Sequence, residues 1–154
     1  LGGKIVHFWN VYGIEKDMDK AHVITDFIKK GFETGDISML TDGTEQREFL
    51  YAEDCCEALE AVMENYDELS SDDNLHITSF DATTILDIGH IIQGLFAEIG
   101  RSVSVTPAES KDEVQKDKRN EADKFITKYW KPKTTIQEGI RNVFNDMKGE
   151  FNNA

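Results

Sequence analysis

Residues 42–54, DGTEQREFLYAED, are the stretch on which the fold turns. Asp42-Gly43 is a turn signal, because glycine enters positive φ without a steric penalty. After it, Arg47–Tyr51 (REFLY) reads as a strand by its aromatic and apolar content, as does Ile37–Leu40 before it. The turn therefore predicts a hairpin or a bent two-strand connection. Beyond Asp54, the residues Cys55, Ala58, Leu59, Val62, Met63 and Tyr66 recur at i, i+3, i+4, i+7, i+8 and i+11. That spacing predicts an amphipathic helix, which the acidic linker ELSSDD ends.

Toward the N-terminus, residues 4–12 (KIVHFWNVY) form a nearly continuous apolar run of β-branched and aromatic types, which predicts a buried strand. A loop with Gly13 and five charged residues follows. From Ala21, the positions Val23, Ile24, Phe27 and Ile28 have helical spacing, with Gly31 or Gly35 as the stop. Toward the C-terminus, NLHIT (74–78) predicts a short strand. Thr84 with Asp87 caps a helix whose stripe is Ile85, Ile88, Ile92, Leu95, Phe96 and Ile99, closed by Gly100. A short SVSV strand precedes the charged run ESKDEVQKDKRNEADK, and Thr135 with Glu138 caps a last helix carrying Ile136, Ile140, Val143, Phe144 and Met147. No internal repeat is present. The predicted order β-α-β-β-α-β-α-β-α-α describes one α/β domain over residues 1–154, without the opening half of a doubly wound fold.

Composition narrows the function. With 17 Lys+Arg against 30 Asp+Glu, the formal charge is -13, which opposes nucleic acid and acidic membranes as partners. A small anion remains compatible, since one or two placed cations and a helix N-terminus suffice to hold a diphosphate. No apolar run approaches the roughly 18 residues of a membrane span. With no leader-like segment after Leu1, a cytoplasmic home is expected. Cys55 and Cys56 are adjacent and offer neither a disulfide framework nor a metal spacing, and His7, His22, His76 and His90 show no ligand pattern. No metal site is expected.

Several fragments in order, HFWNVYG (7–13), HVITDFIKKG (22–31), DGTEQREFLYAED (42–54), NLHIT (74–78) and RNEADKFITKYWKPKTTIQEGI (119–140), resemble the C-terminal, substrate-binding half of the extended short-chain dehydrogenase/reductase family, the NAD-dependent nucleotide-sugar epimerases and dehydratases. The resemblance spans nearly the whole chain. It implies the closing part of a Rossmann-type fold, with NAD held mainly by an N-terminal half whose G-x-x-G-x-x-G loop these residues lack. It also implies a Tyr/Lys dyad on a helix upstream of Leu1. Tyr12 and Lys16 have the Y-x-x-x-K spacing, but Gly13 at a strand end argues against the shared helical face such a pair needs. Tyr129 and Lys133 repeat the spacing across Pro132, which excludes a continuous helix.

The resemblance further implies site residues. Arg47 stands where the family grips the nucleotide diphosphate, a role its forked guanidinium suits; the plainer alternative is a strand-edge arginine paired with Glu45 or Glu48. Asn10 ends the first strand, where open α/β folds place ligand contacts, or else is a turn residue. His22 and Val23 begin a helix whose free N–H groups face the nucleotide, though His22 also fits a surface or capping residue. Asn74 matches a strand-initial family Asn, but without the usual glycine after it. Lys111 and Arg119 lie near a second diphosphate cation, or in a solvated loop. Phe8 resembles the residue that approaches the nicotinamide, or is core.

In the family, NAD oxidises a sugar hydroxyl and the keto intermediate is epimerised, dehydrated or decarboxylated. This chain would bind and orient a nucleotide-diphosphate sugar and be inactive alone. A non-catalytic interaction module derived from that family is the alternative, motivated by the departures at His7, Ile14 and LHITS. In the family, the first strand and NLHIT join the cofactor-binding sheet. Exposed edges there predict homo-oligomerisation or pairing with an N-terminal half.

Overall fold

A computed structural model describes residues 3–17, 20–113 and 121–152. The elements run β1 (Val6–Phe8), β2 (Asn10–Tyr12), α1 (Val23–Glu33), β3 (Asp36–Ser38), β4 (Gln46–Tyr51), α2 (Ala52–Glu64), β5 (Leu75–Ile77), β6 (Ala82–Thr84), α3 (Ile85–Glu98), β7 (Ser104–Thr106), a 3-10 helix (Phe125–Lys128) and α4 (Ile136–Asn152). Parallel pairs β1-β5 and β3-β7 flank a mixed trio in which β4 lies between parallel β2 and antiparallel β6.

Four expectations need correction or refinement. The predicted strand over residues 4–12 is two strands that change partner at Trp9: β1 follows β5, β2 follows β4, and the Trp9 N–H donates to the Ile77 carbonyl at 3.3 Å. It is also less buried than its apolar content suggests, since His7 and Phe8 are exposed. Of the two forms expected at Asp42-Gly43, the hairpin is not made and the bent two-strand connection is. Gly43 has φ 75°, but β3 leaves to pair with β7 while β4 enters the trio, so the segment is a corner between two sheets. Third, α2 is rotated relative to its predicted stripe. Cys55, Ala58, Ala61 and Val62 are buried, whereas Leu59, Met63 and Tyr66 are exposed. Small alanines face inward because α2 sits close on β2 and β4. Finally, β6 carries no periodic signal and was not expected, while the first of the two closing helices in the predicted order is represented, among the described residues, by the short 3-10 helix alone. Much of the charged run, including Arg119, lies outside the described residues.

The helix signals hold. Thr84 caps α3 by accepting from the Asp87 N–H at 3.0 Å, and Thr135 accepts from the Glu138 N–H at 3.2 Å ahead of α4. Gly35, at φ 72°, provides the stop after α1. Gly31 is inside the helix instead, and a Cβ there would meet the Phe96 ring at 2.2 Å.

Apolar side chains gather in two clusters. The larger unites α1, α3 and α4 around Phe32, Phe96 and Phe144; the smaller joins α2, β5, Ile126 and Trp130. β4 stands between them. Its alternation sends Phe49 and Tyr51 into the first cluster and Leu50 into the second.

Candidate functional site

Strand β2, the start of α1, the β3–β4 corner and the segment after β7 surround a cavity of about 810 Å³. Asn10, His22, Val23 and Arg47, four of the residues singled out from sequence, all line it. Phe8 and Asn74 lie away from it, on β1 and just before β5, where Asn74 Nδ2 donates to Asp123 Oδ2 at 3.4 Å. Lys111 is exposed and adjoins the lining residue Asp112.

Each lining residue is placed by local structure. Asn10 opens β2, and its Nδ2 donates to the Glu48 carbonyl on the neighbouring strand at 3.3 Å. The Glu48 side chain is buried and accepts from Thr78 Oγ1 at 2.9 Å, which fixes that strand from behind. His22 is the N-cap of α1 with extended backbone and no side-chain capping bond, and Val23 is the first helical residue. The opening turn of α1 therefore presents the positive end of the helix to the cavity. Asp26 in that turn also lines the cavity; Lys30 pairs with it at 2.8 Å and moderates its charge.

Arg47 projects from β4, and its Nη1 donates to the Gln46 carbonyl at 3.0 Å. It forms an ion pair with Asp112. Glu45 accepts from Thr41 Oγ1 at 2.6 Å, while its other carboxylate oxygen is buried without a hydrogen-bond partner among the described residues. Trp9, Thr41, Glu45 and Asp112 were missed as cavity residues. For Trp9 and Glu45 the signal was adjacency to the motifs themselves, but nothing local links Asp112 to a strand 65 residues away.

Tyr12 is no candidate base. It belongs to β2, is buried, and its hydroxyl reaches the Ile136 carbonyl at 3.5 Å. Burial first, then the charges of Tyr51 and Asp54, push its phenol above the ordinary range, opposite to what proton abstraction needs. Lys133 pairs with Glu57 at 2.7 Å, so Tyr129 and Lys133 do not form a dyad. Among the described residues, no group of three or more His, Cys, Asp or Glu could hold a metal, and no helix is long and apolar enough to cross a membrane.

A dinucleotide does not fit these residues by themselves. No Gly-rich strand-to-helix turn occurs in the sequence, and Phe8 stands exposed on β1 outside the cavity. Beside its apolar walls the cleft carries a helix N-terminus, the Arg47 guanidinium and Lys30, together with the carboxylates of Asp26, Glu45 and Asp112; the cationic groups are the ones that suit a small anionic ligand.

Comparison with known proteins agrees with the geometry. Residues 2–77 match the NAD dependent epimerase/dehydratase family. GDP-L-fucose synthase of Sinorhizobium fredii is 29% identical over 145 residues, covering 90% of this chain and 44% of that protein. UDP-glucuronic acid decarboxylase 1 of Arabidopsis thaliana is 22% identical over 97% of this chain and 33% of its own length. Among solved structures, epimerase Mth375 of Methanothermobacter thermautotrophicus superposes with a TM-score of 0.77 at 17% identity, covering 96% of this chain and 43% of that one. A UDP-glucuronic acid 4-epimerase of Bacillus cereus, solved with NAD and UDP-4-deoxy-4-fluoro-glucuronic acid, gives 0.75 at 22%, covering 94% and 45%. The chain spans less than half the length of each of these relatives, and its fold is the corresponding part of their Rossmann-type arrangement. The motifs, the fold and these matches agree on one likeness, to the NAD dependent epimerase/dehydratase family, whose pattern residues 2–77 carry.

Proposed function

We propose that this chain is the substrate-binding portion of an NAD-dependent enzyme that modifies a nucleotide-diphosphate sugar in the cytoplasm. The observation that supports it most is the convergence of Asn10, His22, Val23 and Arg47, from three separate elements, on one cavity. In this reading Arg47 grips the diphosphate as a fork, the first turn of α1 lends its N–H groups, and Asn10 donates to a phosphate or sugar oxygen. Lys111, beside Asp112, adds positive charge at the rim. The chain's part in catalysis is orientation. Binding energy from the nucleotide holds the sugar where another part of the protein performs the chemistry.

NAD and the Tyr/Lys pair belong, on this proposal, to that other part, with Phe8 and Asn74 on the side it covers. Ile5 and Phe8 are 66% and 49% exposed, and among the described residues β1 pairs with β5 alone, which supports a cofactor-binding half or a second copy of the chain at that edge. The chain alone should therefore turn nothing over. Incubation with NAD and UDP-, GDP-, dTDP- and ADP-sugars is the test, read by product formation and calorimetry. Weak binding without product is the expected result; turnover by the chain alone would sink the proposal.

A further inference from the structure

Arg47 and Asp112 meet inside the cavity, the guanidinium Nη2 on the carboxylate, with side chains only 28% and 14% exposed. The segment that brings Asp112 there is fastened along the cavity rim. The Ala108 N–H donates to the Thr41 carbonyl at 2.9 Å, Ser110 Oγ to the Leu40 carbonyl at 2.7 Å, and the Asp42 N–H to the Ser110 carbonyl at 2.7 Å. Leu40 and Thr41 line the cavity, so these bonds hold residues 108–112 as a strap beside Arg47.

A sheltered ion pair is costly to break by removing one partner, because a charge is then left without compensation. Exchange of one anion for another avoids that cost. A diphosphate brings more negative charge than a carboxylate and can take the guanidinium fork bidentately, while a carboxylate kept beside it would repel it. We propose that Asp112 is a built-in competitor for the anion subsite: a nucleoside diphosphate enters by displacing its carboxylate from Arg47, and the 108–112 strap moves off the rim as it does so. This rests on Arg47 being the diphosphate contact.

The test is calorimetric titration of the chain with GDP and with UDP, using wild type, Asp112→Asn, Arg47→Ala and the double variant. Asp112→Asn should bind about tenfold tighter, within the usual span of coupling between two linked events. Arg47→Ala should bind more weakly, and the gain should vanish in the double variant. In wild type, saturating nucleotide should also speed hydrogen exchange at the Ala108 and Asp42 amides, a change that a merely structural aspartate would not produce. Unchanged or weaker binding by Asp112→Asn, or unchanged exchange at those amides, overturns the competitor role. The Arg47 reading survives that result if Arg47→Ala still weakens binding. If Arg47→Ala binds like wild type, or no variant binds either nucleotide, the diphosphate role of Arg47 fails and the competitor role fails with it.

Discussion

Two glycines in neighbouring helices show how differently one methyl group acts at different sites. At Gly31 a Cβ would lie 2.2 Å from the Phe96 ring, which is itself wedged against Phe32 and Phe144 at centroid distances of 4.7 and 4.9 Å. Gly31→Ala must displace that aromatic cluster and should destabilise by about 1–3 kcal/mol. Gly94, exposed on α3, has nothing within 4 Å of a Cβ, so Gly94→Ala should stabilise by about 0.5–1 kcal/mol through helix propensity. Urea midpoints moving in opposite directions are the expected readout. Asp36 makes a different kind of residue-level case. Hydrogen bonds from the Ser104 and Thr106 hydroxyls, at 2.6 and 2.7 Å, hold its carboxyl below the ordinary 3.8. A carboxylate with a lowered folded-state pKa stabilises above its unfolded value, and that contribution is lost as pH falls through the lowered value. In Ser104→Ala the Asp36 carboxyl should titrate at higher pH, closer to 3.8, when followed by carboxyl-carbon NMR; an unmoved titration would rule out the hydroxyl as its cause.

At the scale of elements, the sequence was most legible where the cause is local. The Thr84 cap of α3 is a contact three residues long, and the expected Thr-Asp spacing is what the structure uses. Thr84→Ala should cost about 1 kcal/mol, lowering the urea midpoint without changing the slope of the transition. Elements fixed by distant neighbours were read less well. The period of α2 admitted Leu59, Met63 and Tyr66 as inward residues, yet the closeness of β2 and β4 selects the alanine face. Residues 4–12 look like one strand until β5 and β4 claim separate halves of it. The cavity divides the same way. Asn10, His22, Val23 and Arg47 were legible because they sit inside contiguous motifs, whereas Asp112 joins them only through the return of the chain after β7.

For the whole molecule, the family likeness and the α/β class were readable because ordered motifs span the chain, while the sheet arrangement was not, since strands of three residues carry little signal of which neighbour they join. The six-residue strand β4 is the exception in length and in position. It is bonded on both sides and gives alternate side chains to the two apolar clusters, so neither cluster retains its wall if the other is lost. The two clusters should therefore melt together. Differential scanning calorimetry is expected to show a single transition whose calorimetric and van't Hoff enthalpies agree, and two resolved peaks would mean that the clusters are independent. Cooperativity in this chain then resides in one shared partition, and Leu50, the residue on its narrower side, is where a truncation would loosen both halves at once.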